Sequence, residues 1–390
     1  MKPVVVLWLS TLVALAAPAR AMQGPDQPLA VVEQAARRDS NDAEALYALG
    51  VAYARVGRDA DAKRMFLETV RVDPQHALGY VALSGYYHSS LIIVSDPTRP
   101  GHLRVLPSSK TDSAGIFLGR VFQLNPFIEI HHPGINELPG YWRGTLQQAL
   151  RHFHEGKLPQ ALEEFGTVIQ RTEEPGHPEK IPPIALRYHM LTALRIARFD
   201  DAIRDGQLLL DVALRLAQIT DTAHGALQAL QEVSGGLVNE NRYVLAEVYR
   251  AAGNGPEAER LYLQLLESDL SYYIAHARLA AIYEAERRWA EAISERRRAE
   301  DANPEDASLV FDLGVTLANA GLLAEADSTL RRAEAANTRE VRAAYVLGVV
   351  NAGLGRPAVD REAFTTFLSL APSRYTEMIA DARQRLAALP

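Results

Sequence analysis

The chain has 390 residues, 48% hydrophobic and 23% charged, a balance that supports a packed core and argues against wholesale disorder. Its formal net charge is −7, which speaks against nucleic acid and anionic membrane surfaces as general partners. There is no cysteine. That excludes disulfides, thiolate metal sites, a cysteine nucleophile and a lipid-modified cysteine at a mature N-terminus.

The first element is a leader. Lys2 precedes an apolar run from Val4 to Ala17, and Ala19-Arg20-Ala21 has the small-x-small pattern of a cleavage site. The run is short for a bilayer span, so residues 1–21 are expected to be a secretory signal peptide, with no membrane span after cleavage. Leu29 to Arg38 then reads as a lone helix that covers the next pair of helices.

From Ala43 to Pro74 the chain shows a frame: a large apolar residue, Leu-Gly, Tyr three residues on, a Gly turn, then Ala, Phe and a closing Pro. The frame returns from Ala77, and 34-residue steps link starting points at Asn239, Tyr273, Ala307 and Val341. Four interruptions separate its copies. Between Tyr87 and Ala114, β-prone runs at Leu91–Val94 and His102–Leu106 flank a Pro/Gly turn, which predicts a small hairpin. Asn125 to Trp142, "NPFIEIHHPGINELPGYW", reads as an ordered connector between helices that begins at a Pro stop and ends near a new helix start. "TEEPGHPEKIPP" is a Pro-rich loop. Between Asp211 and Gly236 an extra helix is expected, with Ser234-Gly235-Gly236 as a hinge. The chain thus divides into 22–126 (N-terminal cap and repeats, with an insertion at about 88–110), 127–236 (connector and irregular helices) and 237–390 (regular array). Ser373 to Leu389 closes the array as a capping helix, with Tyr375, Ile379, Ala382 and Leu386 on one face.

Each position of the frame has a physical task. Leu49, Leu83, Leu245, Leu279, Leu313 and Leu347 recur where paired helices meet. The next residue is small: Gly50, Ser84, Ala246, Ala280, Gly314, Gly348. Tyr53, Tyr87, Tyr249 and Tyr283 fill the space beside it. Gly57, Gly253, Gly321 and Gly355 end the first helix, where a left-handed residue is cheapest. Ala62, Ala114, Ala161, Ala202, Ala258, Ala292 and Ala326 make the second close contact, and Pro74, Pro126, Pro304 and Pro372 stop the second helix. Departures are His152, Ala193 and Asn351 for the Tyr, Asp360 for the Ala, and Gly206 for a large apolar residue.

This set of positions resembles the tetratricopeptide repeat family over most of Ala43 to Pro372, in about eight units. The resemblance implies an all-α, right-handed superhelical solenoid of helix pairs. It also implies a scaffold for protein–protein interaction whose first helices line a concave face. The fifth frame position would face that groove, and it holds Tyr47, Val81, Leu146, Tyr243, Ala277, Phe311 and Tyr345; the ninth adds Val51, Val315 and Val349. Tyr47, Tyr243, Phe311 and Tyr345 are the candidate binding residues, expected to be partly exposed and to take an amphipathic helix or apolar peptide. The family's Lys/Asn clamp for a terminal carboxylate is absent. The competing reading is that these side chains only pack between repeats.

An enzyme finds little support. His88, His102, His131, His132, His152, His154, His177 and His189, with Glu129 and Glu137, could supply metal ligands. Yet His152 and His154 point to opposite sides of a helix, and no H-E-x-x-H pattern occurs. There is no phosphate loop and no nucleophile elbow. The expectation is an exported, non-enzymatic scaffold without cofactor, periplasmic or extracellular in a bacterium. Its partner is a protein or peptide; self-association into an envelope assembly is the alternative.

Overall fold

The computed structural model describes residues 28–88, 93–95, 103–105, 140–221, 228–304, 306–372 and 375–389, with single positions between 117 and 127. The leader, most of the connector including His131 and His132, Ala114 and the segment 222–227 lie outside them. Seventeen α-helices are described: α1 (Leu29–Arg38), α2 (Ala43–Arg55), α3 (Asp59–Val72), α4 (Ala77–His88), α5 (Gly140–His154), α6 (Leu158–Thr172), α7 (Pro183–Arg195), α8 (Phe199–Asp221), α9 (Gln228–Ala251), α10 (Gly255–Ser268), α11 (Tyr273–Ala285), α12 (Trp289–Ala302), α13 (Ala307–Asn319), α14 (Leu323–Ala336), α15 (Val341–Gly353), α16 (Pro357–Leu370) and α17 (Thr376–Ala388). Strands β1 (Ile93–Ser95) and β2 (Leu103–Val105) pair antiparallel with Ile93 opposite Val105, the expected hairpin.

The fold is a solenoid of tetratricopeptide-type helix pairs, and the frame explains why. Three first helices begin at side-chain caps: Asp42 accepts from the Glu44 N–H at 3.0 Å, Asp306 from the Ser308 N–H at 3.0 Å and Glu340 from the Arg342 N–H at 3.2 Å. They end at a left-handed residue. Gly57, Gly156, Gly253, Gly321 and Gly355 all have φ between 68° and 80°, and Ala197 and Arg287 adopt φ 58° and 60° at the same frame position. The six recurring leucines are buried, as are Ala62, Ala161, Ala202, Ala258, Ala292 and Ala326. A Cβ on Gly50 would lie 2.6 Å from the Phe66 ring, and one on Gly348 2.6 Å from the Phe364 ring, so these small residues let the paired helices close.

The departures from the frame are accommodated locally. Leu245 of α9 fills the space left by Gly206, where an added Cβ would sit 2.9 Å from its Cδ1. His152 meets Glu164 at 2.9 Å, and Asn351 donates to Asp327 at 2.8 Å. Two expectations are corrected. No separate helix lies between Asp211 and Gly236 among the described residues: α8 and α9 are simply long, at 23 and 24 residues. Ser234, Gly235 and Gly236 lie inside α9 and are not a hinge.

The described residues form two compact units: those of Pro126–Ala275, and those from 28 to 125 together with those of His276–Pro390. The first is built on Leu146, Phe153, Phe165, Leu186, Tyr188 and their neighbours, against which Phe127 of the connector packs. The second contains three described apolar clusters: one around Phe66, Leu49 and Leu83, one around Leu313, Leu330 and Leu347, and one in which Phe364 and Phe367 are covered by Tyr375, Met378, Ile379 and Leu386 of α17 and its approach. Among the described residues no helix is long and apolar enough to cross a membrane.

Candidate interaction faces

The four candidate aromatics lie on first helices, as the frame requires, but three are buried. Relative exposure is 6% for Tyr47, 1% for Tyr243 and 6% for Phe311; Tyr345 is half-buried. The expectation of partly exposed anchors therefore fails at three of the four. The cause is cover from the paired second helix and from the start of the following repeat. Tyr47 packs on Phe66 and on His76, with ring centroids 5.6 and 5.0 Å apart. Burial, reinforced by Glu44, pushes its phenol up to about 12. Tyr243 sits between Tyr262 and Tyr272, at 6.1 and 5.7 Å. Burial likewise raises the Tyr272 phenol. Phe311 lies under the Arg342 guanidinium, 4.8 Å from the ring centroid, in cation–π geometry. Tyr345 packs on Phe364 and Phe367 and donates its hydroxyl to Asp381 of α17 at 2.7 Å.

Beside Phe311 the second unit carries charge, on the first helices α11, α13 and α15 and on the second helix α12. Arg296 of α12 donates through Nε to Glu284 of α11 at 3.0 Å and through a terminal nitrogen to Asp312 of α13 at 3.3 Å. The Thr316 hydroxyl donates to Glu284. Arg342 of α15 is held by Glu340 at 2.7 and 2.6 Å. The Glu340 hydrogen bonds, with the nearby carboxylate charge, raise the Arg342 guanidinium and hold it firmly protonated. Burial raises the Asp312 carboxyl against the pull of Arg296 and Arg342. The result is a line of charges of alternating sign, Glu284 on α11, Arg296 on α12, Asp312 on α13 and Arg342 on α15, where an apolar lining was expected. The repeat phase already placed Glu284, Asp312 and Arg342 on successive first helices, so the signal was present beside the aromatics.

Each unit also holds buried histidine–carboxylate pairs that link a first helix to its second. His189 of α7 meets Asp205 of α8, and His276 of α11 meets Glu295 of α12 at 2.6 Å. Glu247 of α9 is buried and takes the Tyr262 hydroxyl at 2.5 Å and Arg250 at 2.7 Å. His154 lies edge-on to Phe153 and Tyr188. These are pairs, and among the described residues no three His, Asp or Glu side chains come together as a metal site.

Residues 243–307 and 311–375, together one third of the chain, match the tetratricopeptide repeat family model. Solved structures with a similar course include "Crystal structure of MamA protein", at 17% identity and a TM-score of 0.39, covering 50% of this chain and 92% of that one. A second is "MamA RS-1 ArsTM double mutant", at 18% identity and a TM-score of 0.39, covering 52% and 99%. Likenesses at this level carry no functional inference to this chain. No curated protein matches the sequence.

Proposed function

We propose that this protein is an exported, non-enzymatic scaffold that binds a segment of another protein along the first-helix face of its C-terminal repeats. The observation that carries this reading is the charged line of Glu284 on α11, Arg296 on α12, Asp312 on α13 and Arg342 on α15, whose side chains are each partly open to solvent. A partner helix or extended peptide with charges of both signs suits it. Such a segment would exchange its own carboxylates and cations with Glu284, Arg296, Asp312 and Arg342, and would meet the half-buried edge of Tyr345. Paired charges of this kind give register and discrimination more than raw affinity. Export rests on the leader, which would carry the mature chain to a periplasmic or extracellular space.

The test is affinity capture on the mature chain from an envelope extract, followed by titration of each recovered protein. A saturable partner is expected, weakened about 10-fold or more by R342A, the loss of a charged contact at an interface, with unchanged secondary structure. A partner whose affinity is indifferent to R342A, D312A and Y345A would overturn the assignment of this face.

A further inference from the structure

The second compact unit joins segments from opposite ends of the sequence, and the contacts that join them have a consistent chemistry. Asn41, in the turn between α1 and α2, donates through Nδ2 to the Leu370 carbonyl at 3.0 Å, the last residue of α16. Asn337, in the turn between α14 and α15, donates through Nδ2 to the Arg71 carbonyl at 2.9 Å, in the last turn of α3. Arg339 donates to the Ser40 carbonyl at 3.0 Å and pairs with Glu68 of α3 at 3.5 Å. Arg120 pairs with Asp306 at 2.9 Å and donates to the Pro74 carbonyl at 3.3 Å.

These bonds share two features. The first is reciprocity. The last carbonyls of a helix lack an intrahelical donor and carry the negative end of its dipole. Here an N-terminal turn supplies the donor for α16, and a C-terminal turn supplies one for α3. The second is that each contact named here is polar. The apolar cluster of Val32–Leu83 shares no residue with those of Ile293–Val350 and Val341–Ala382. Moreover, Asn41 Oδ1 and Arg339 Nε are buried without a hydrogen-bond partner. A polar contact that leaves its own atoms unsatisfied is weakly held, because water can replace each bond at little net cost and would also satisfy the orphans.

We propose that these residues form a reversible clasp: the N-terminal repeats close on the C-terminal repeats of the same chain through mutual capping of α3 and α16, and release in solution. The clasp is a property of the free chain and stands whether or not the first-helix face binds a partner.

The absence of native cysteine permits unique spin labels on the mature chain. A pair at R37C and S369C reports across the clasp, and a pair at R37C and R64C reports within the N-terminal repeats. Dipolar distance measurement at low salt is expected to give one narrow distribution across the clasp, joined by a longer component at 1 M NaCl as the ion pairs are screened. In N41A/R339A the longer component is expected to dominate, with the open-to-closed ratio up by about 10-fold or more, because two hydrogen bonds and the Glu68 ion pair are removed together. The R37C/R64C distance should stay unchanged. If that control distance moves, E68R, which sets two guanidinium groups against each other and leaves Asn41 in place, decides by the same reading. A narrow distribution unchanged in the variants overturns the clasp. So does a longer component whose share depends on protein concentration, which would place these contacts between two copies.

Discussion

At the scale of single residues, the frame separates backbone demands from packing demands. The residue that ends each first helix must be left-handed, and Ala197 and Arg287 occupy that position with φ 58° and 60° while exposed to solvent. An L-residue there costs about 1–2 kcal/mol, partly offset because glycine loses more freedom on folding. A197G and R287G are therefore each expected to stabilise the protein by about 0.5–1 kcal/mol, seen as a higher urea midpoint at unchanged slope. G321A should do the reverse, since nothing lies within 4 Å of the added methyl and only φ 80° opposes it. Titration tests Asp312. Its carboxyl is raised by burial, so the folded state holds the proton more tightly than the unfolded one. Below the ordinary carboxylate range the group is neutral in both states and contributes nothing. As pH rises through that range toward the raised value, stability falls, and above it the loss is complete. The urea midpoint of D312N relative to wild type should thus gain with rising pH. A gain with falling pH would mean that the attraction of Arg296 and Arg342 outweighs burial.

At the scale of elements, the sequence was most legible where several frame positions recur together. Leu279, Ala292 and Leu313 sit where 34-residue spacing puts them, and the lone helix Leu29–Arg38 and the final helix are both present. It was least legible where a neighbour decides the outcome. Periodicity places Tyr243 and Phe311 on a chosen face of their helices but does not say what covers that face. The covers, Tyr272 and Arg342, come from about one repeat further along the chain. The Ser-Gly-Gly run misled for a related reason. Each glycine costs a helix only about 1 kcal/mol, less than tertiary packing of a long helix can return. The capping helix offers a direct test. α17 and Tyr375 cover Phe364 and Phe367, both buried. Removal of residues 375–390 should expose that cluster. Increased binding of a hydrophobic dye and concentration-dependent self-association are expected by light scattering, because an uncapped repeat leaves core in water. A monomeric truncated chain with an unchanged melting temperature would show that α17 is not a cap.

At the scale of the whole molecule, both members of each helix pair in the C-terminal array contribute to the core, with Leu279, Leu313 and Leu347 from first helices and Ala292, Ala326 and Leu330 from second helices. Glu284, Asp312 and Arg342 on first helices, bridged by Arg296 of α12, form the face proposed to take a partner. Histidine–carboxylate pairs such as His276–Glu295 tie the two helices together beneath the surface. The first-helix face is the proposed partner site. Site-specific photo-cross-linking tests it most directly. A benzoylphenylalanine replaces Tyr345 on α15 in one chain and the exposed Glu362 on α16 in another, and both are irradiated in an envelope extract. A discrete protein adduct is expected from position 345 and none from position 362. No adduct from 345, or the same adducts from both positions, would contradict the claim.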